Sequence, residues 1–323
     1  MDPRHLLQLA TILEKGSITQ ASRHLHLTQP TLTHNMQTLE MQAGGQLFER
    51  SRLGVRSTPL GELLAREGRD IARRINDARE ASARHRVGMR NQVRIAAGPL
   101  VSAAMLPGLT AYLLQRHPEL AMNFLTDRPH LLIEQLVAGQ HDLVIAPSWM
   151  DRPPQGIARE VLVDDRLGVF CGASHRLAPG GHLTPTDAAQ ERWITLGLAS
   201  PFDQDVVGML GDAGIHHPRT EITVLGDAFS LLSILAQGRH LAVLPHYPVR
   251  ALRSHFPVQT LQIDARARPR RIYLWCREDL LEDNTFVRVR QSVMDHAAEH
   301  VRTVMQRAAP APAGAKRTRR GSA

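Results

Sequence analysis

The sequence predicts an all-helical N-terminal unit, a winged helix-turn-helix running into one long linker helix, and then an α/β body of two lobes. Three observations predict it. Residues 17–40 read as two short helices joined by a tight turn. From Thr58 onward Leu64, Gly68, Ile71, Ile75, Ala78 and Ser82 are spaced as a short heptad seam on one helix, weakened at Gly68 and Ser82. Beyond residue 92 short apolar strands alternate with helical segments, the pattern of a parallel sheet with crossover helices.

A first helix spans about 4–15, with Leu6, Leu9 or Ala10, and Leu13 facing in, and Gly16 ends it. Ser17 caps the next helix, with Gln20 three residues on completing a capping box. Ile18, Ala21, Ser22 and Leu25 share one face. His24–Leu27 carries the turn. Thr28 is a second N-cap, and Pro30 sits in the first turn, where a missing N–H costs little. Leu32, Met36 and Leu39 form the inner stripe of this helix. Its other face shows Gln29, Thr31, Thr33, His34, Asn35, Gln37 and Thr38. A solvated surface helix usually carries Lys/Glu pairs; this face is short-armed and almost uncharged. Gln and Asn can make paired bonds to adenine edges, and Thr offers a hydroxyl and a methyl for thymine. An ordinary helical hairpin with a polar outer face is the alternative. Residues 47–58 read as a β-hairpin wing anchored by Leu47 and Phe48 and turned at Gly54. Arg50, Arg52 and Arg56 stand where a wing meets phosphates.

Thr58 and Pro59 open the long helix, expected over 59–88 and able to pair with a second copy through its apolar seam. A surface helix packed on its own body is the other reading. A linker is expected at Gly88–Gln92. Strands at Val93–Ala97, Leu120–Leu125 and Leu143–Ala146 alternate with helices at about Ser102–His117 and Leu131–Gly139. Pro147–Gly156 is a Pro-rich crossover. A second unit opens at Arg166–Cys171. Strands at Trp193–Leu196, Thr220–Val224 and Leu241–Pro245 follow, with helices at Asp205–Ala213 and Ala228–Gln237. A strand at Arg271–Cys276 and a helix from about Asn284 to Arg307 return the chain. The expected lobes are 92–162 with 267–306, and 163–266. Residues 307–323 read as a disordered basic tail.

The chain has 323 residues, 43% hydrophobic and 22% charged, enough for two or three units with their own cores. Its net charge of +8 is unevenly placed. Residues 1–90 carry fourteen Arg/Lys against nine Asp/Glu, and residues beyond 301 carry six Arg/Lys and no acid, leaving −3 for 91–301. A basic N-terminal unit suits a polyanion. No apolar run approaches a membrane span, and the N-terminus reads as an amphipathic helix rather than a signal peptide. Two cysteines give no disulfide framework, so a cytoplasmic protein is the expectation. The chain lacks a G-x-S-x-G elbow, a P-loop, HExxH and paired Cys spacing, which argues against an enzyme, a metal site or a cofactor. Cys171 and Cys276 lie in apolar strands and read as buried thiols.

Phe48-Glu49-Arg50, Gln29-Pro30, Leu39-Glu40, the Ser17…Ala21 helix start and Thr58…Gly61-Glu62 together resemble the N-terminal domain of LysR-type transcriptional regulators. GQHDLVIA, GRHLAVLP and Arg116–Leu120 extend the resemblance over nearly the whole chain. It implies a type 2 periplasmic-binding-protein-like body that senses a small-molecule effector between its lobes, double-stranded promoter DNA as partner, and a dimer of dimers. Gln29, Pro30, Thr31, Thr33, His34 and Asn35 are then the expected base-side residues, and Arg50, Arg52 and Arg56 the phosphate-side ones. Ligands in such sheets sit beyond strand C-termini, against helix N-termini. That points to Gly98, Pro99, Leu100, Val101 and Ser102, facing Ala199, Ser200 and Phe202, with Pro147, Ser148 and Asp227 at the hinge. Ser102 is expected to cap its helix, and the effector to be an organic acid. A cytosolic solute-binding protein without gene control is the alternative function.

Overall fold

The computed structural model describes residues 1–51, 54–86, 91–178, 181–197 and 202–306. The chain forms two compact units, one of them essentially residues 1–90. In that unit α1 (Pro3–Lys15), α2 (Ile18–His24) and α3 (Gln29–Ala43) close around Leu9, Ile12, Ala21, Leu32, Met36 and Leu39, all buried. Ile12 is fully enclosed, whereas Leu13 is only half-buried. Each helix begins on a side-chain cap. Asp2 accepts from Arg4 N at 2.9 Å, Ser17 from Gln20 N at 3.4 Å and Thr28 from Thr31 N at 3.3 Å. Between α2 and α3, His26 adopts a left-handed φ of 53°.

The wing pairs β1 (Phe48–Ser51) with β2 (Gly54–Ser57), Phe48 opposite Ser57 and Ser51 opposite Gly54. Gly54 opens β2, and its reason for being glycine is a close approach. Its φ is 118°, and a Cβ there would stand 2.7 Å from the Gly16 carbonyl oxygen. Thr58 caps α4 (Pro59–Arg86) by accepting from Gly61 N at 3.0 Å. The first half of α4 lies on its own unit. A Cβ at Gly61 would sit 1.7 Å from the Leu47 carbonyl oxygen, and one at Gly68 only 2.1 Å from that of Leu6. Ala65 is fully buried, and Leu64 and Ile71 pack on the same core, while Ile75 is 40% exposed. This corrects the expected seam: Gly68 is where α4 crosses α1, not a weak heptad position. The Ser82 side chain and residues 87–90 of the expected linker lie outside the described residues, as does the 307–323 tail.

The second unit carries two five-stranded sheets. The first lobe has β3 (Asn91–Ala97), α5 (Pro99–Arg116), β4 (Leu120–Thr126), α6 (Pro129–Val137), β5 (Leu143–Pro147) and β6 (Ile157–Val163). The chain then enters the second lobe with β7 (Leu167–Gly172), α7 (Pro185–Gln190), β8 (Arg192–Thr195) and α8 (Asp203–Asp212). It continues through β9 (Arg219–Thr223), α9 (Ala228–Ala236), β10 (Leu241–Pro245), α10 (His246–Leu252) and β11 (Val258–Leu261). It returns with β12 (Ile272–Arg277) and α11 (Asn284–Gln306). Strand order is β4-β3-β5-β12-β6 in the first lobe and β11-β7-β10-β8-β9 in the second. β3 runs parallel to both neighbours, and β12 is antiparallel to β5 and β6. Strands β6 and β11, and helices α7 and α10, are additions to the sequence reading. Helix α5 starts three residues earlier than expected, because Pro99 at its first position suits a helix start.

The two crossings of the chain lie side by side. Arg166 bridges Pro269 in antiparallel fashion, Arg270 N donates to Asp165 O at 2.6 Å, and Leu167 N to Arg268 O at 3.0 Å. Asp165 Oδ1 accepts from Arg166 N and from Tyr247 N, the latter at the start of α10. Burial nevertheless pushes this carboxyl above its ordinary range.

Candidate nucleic-acid interface and inter-lobe cleft

Helix α3 presents Gln29, Pro30, Thr31, His34 and Gln37 to solvent, with Thr33 and Asn35 half-buried. Its inner stripe and its N-cap fix the rotation of that face. Gln29 Oε1 accepts from Thr19 Oγ1 of α2 at 3.3 Å, which leaves the amide donors free and one acceptor lone pair open. Thr31 and Thr28 share a hydroxyl–hydroxyl bond of 2.7 Å. Asn35 instead donates to Gln8 Oε1 of α1 at 2.9 Å, so part of its capacity is used within the unit. Arg56 is exposed on β2. The side chain of Arg50, on β1, and the whole of Arg52 lie outside the described residues.

Between the two lobes is a cavity of about 290 Å³. Gly98, Pro99, Leu100 and Val101 line it from the first lobe, as does Pro147 at the end of β5, and Phe202 lines it from the second lobe. No side chain caps α5, whose N-cap is Gly98. The expectation that Ser102 is that cap is therefore corrected. Ser102 lies one turn inside the helix, bonded through its hydroxyl to Thr126 Oγ1 at 2.8 Å. Ser148 fixes its own loop, with bonds to Met150 and from Arg159. Asp227 caps α9 by accepting from Phe229 N and Ser230 N, and the Ser230 hydroxyl holds its carboxyl below the ordinary range. Among the described residues none of these three lines the cavity; Ala199 and Ser200 are not described.

The sequence reading missed most of the second lobe's wall: Trp193, Ile194, Leu196, Val206 and Leu210. It also missed Arg270. The Arg270 guanidinium lies 3.8 Å from the centre of the Phe202 ring, and Trp149 meets the same ring edge-on at 5.7 Å. Burial pulls the Arg270 pKa down to about 10, so it stays charged at neutral pH. Arg128 and Asp203 are the cavity's other charged lining residues. Cys171 and Cys276 are buried and unpaired; burial raises the Cys171 thiol to about 11, which suits packing rather than redox chemistry. Among the described residues no cluster of His, Cys, Asp or Glu could hold a metal ion, and no helix is long and apolar enough to cross a membrane.

Two family models match the chain. Residues 3–62 match the bacterial regulatory helix-turn-helix proteins of the lysR family, and residues 86–298 match the LysR substrate binding domain. The chain belongs to the LysR family of DNA-binding transcriptional regulators, with an effector-binding domain behind its helix-turn-helix. The nitrogen assimilation regulatory protein nac of Escherichia coli is 29% identical over 259 residues, covering 78% of this chain and 81% of that one. The transcriptional activator protein LysR of the same organism is 32% identical over 208 residues, 62% and 64% of the two chains. Among solved structures, a Corynebacterium glutamicum OxyR mutant superposes with a TM-score of 0.53 at 21% identity over 95% of each chain, a likeness of fold. The two sequence relatives carry the names of a regulatory protein and a transcriptional activator rather than of enzymes, which favours gene control over a stand-alone solute-binding protein.

Proposed function

We propose that α3 enters the major groove of promoter DNA with Gln29, Pro30, Thr31, Thr33, His34 and Asn35 toward the bases, while Arg50, Arg52 and Arg56 hold phosphates. The observation that carries this is the exposed, uncharged polar face of α3, fixed in rotation by the Thr28 cap and the Thr19–Gln29 bond. A small organic effector binds between the lobes and biases the arrangement of a homo-oligomer, a dimer of dimers paired through α4 and the lobes, working in the cytoplasm. The domains of this reading are 1–58, 59–88 and 92–306. The test is selection from a random duplex library, followed by mobility shifts of the selected duplex against a scrambled one over a salt series. Tight, sequence-dependent binding that weakens steeply with salt is expected. Equal affinity for both duplexes would leave only a basic surface and remove the base-reading role.

A further inference from the structure

We infer that the cleft ligand is a small amphiphilic carboxylate, its anionic end taken by the guanidinium of Arg270 and its apolar body by the walls of the cavity. This rests on the cleft reading above and adds the residue and the chemical class.

Three arginines follow one another on the returning crossing. Arg268 donates to Asp212 at 2.7 Å, and Arg271 to Asp164 at 3.0 Å. Arg270, between them, lines the cavity with its Cζ over the Phe202 ring, 3.8 Å from the ring centre. Among the described residues no carboxylate stands within ion-pair distance of it; Asp165, Asp203 and Asp205 act on it only from farther off. Its place is held by its own backbone bond to Asp165 and by Phe202, itself braced by Trp149. A guanidinium held over a ring keeps its five N–H donors for other partners, and its planar fork matches a carboxylate through two parallel bonds. A desolvated cation without an anion is unfavourable, and a bound carboxylate relieves it.

The rest of the wall sets the remainder of the ligand. Leu100, Ile194, Val206 and Ile272 are apolar. With the lining His216 counted as neutral, Arg128 and Arg270 against Asp203 sum to one positive charge, which one carboxylate neutralises. An amine would meet two cations. The volume lies near the low end of about 300–1,000 Å³ for small-molecule sites, which suits a small acid and not a dinucleotide.

The experiment uses the full-length chain and calorimetric titration with benzoate, phenylacetate, isovalerate and hexanoate, each beside its neutral primary amide. At least one acid is expected to bind about tenfold or more tighter than its amide, the strength of a charge-assisted pair. Arg270→Met should remove that preference while leaving the amide's affinity nearly unchanged, and Arg270→Lys should keep part of it. Unaltered melting and an unchanged amide affinity would show that the variants fold. Equal binding of every acid and its amide, no binding of any acid at millimolar concentration, or a preference that survives Arg270→Met would each overturn the inference. Footprints on the selected duplex separate the two readings. Acid binding through Arg270 with unchanged footprints would retire the effector role and keep the site. Footprints that respond to an amide at the same concentration as to its acid would keep the effector role and retire the Arg270 site.

Discussion

Asp142 gives both carboxylate oxygens to Arg94 inside the first lobe, at 2.7 Å to Nη2 and 2.8 Å to the Arg94 backbone N–H, with both residues buried. Asp142→Ala would take this carboxylate from a buried guanidinium and should cost roughly 3–5 kcal/mol, read as a lowered midpoint in denaturant. In the second lobe His246 is buried against Phe170 and beside Gly168, and burial brings its pKa down from 6.5 to about 4. The neutral ring is therefore the folded form. Its contribution is complete above pH 6.5 and is lost as pH falls toward 4, because only the unfolded chain takes up the proton; the limit is about 3 kcal/mol. His246→Asn should flatten this part of the pH profile of thermal stability; an unchanged profile would place the acid sensitivity elsewhere. On α3, Gln29→Ala should weaken binding to the selected duplex by about 1–3 kcal/mol and spare scrambled DNA, whereas Arg56→Ala should weaken both and lower the salt slope by about one. Equal losses for Gln29→Ala on both duplexes would exclude base reading there. At this scale the sequence is uneven. The polar face of α3 is legible because its periodicity and residue types are local. Arg270 is not, since it stands in an arginine run and only the fold reveals which member lacks a carboxylate. Nor is the partner of Asp142, 48 residues away in the chain.

The elements repeat this lesson. The caps at Ser17, Thr28 and Thr58 can be read directly, because each contact spans only three residues. Strand β6 is hidden by Arg159 and Glu160 in its middle, β11 by its four-residue length, and α10 by its start immediately after β10. The long helix carries two overlaid stripes, and spacing alone does not separate them. Gly61, Ala65 and Gly68 face α1 and the wing, and half of the expected seam is spent on the same body. Gly68→Ala should therefore push α1 and α4 apart at a backbone contact and destabilise the N-terminal unit by roughly 1–3 kcal/mol. A variant melting like the parent would mean that the crossing relaxes without cost. Pairing between copies is better probed at Ile75, 40% exposed, than at Ile71, which packs on its own core. Ile75→Glu should lower the sedimentation coefficient and weaken specific binding, with the N-terminal unit's melting unchanged. An unaltered oligomer would move the pairing surface off this helix.

For the whole molecule, a ligand can alter gene control only by binding one arrangement of the oligomer better than another. A tenfold preference is worth about 1.4 kcal/mol, enough to tip a balanced equilibrium but not a strongly biased one. Linkage then works in both directions: the selected duplex must change the affinity for the acid by the same factor by which the acid changes the affinity for the duplex. Calorimetry of the acid with and without duplex measures this, and identical affinities would mean that the two sites are uncoupled. The paired crossings carry one more consequence, for anyone rebuilding the protein. Because residues 166 and 269 are neighbours, the second lobe leaves and rejoins the first through a single doorway, as an inserted cassette would. A sister protein's lobe could be spliced in at those two junctions. The transplant would replace one wall of the cavity and leave Arg270, which lies beyond the second junction, where it is.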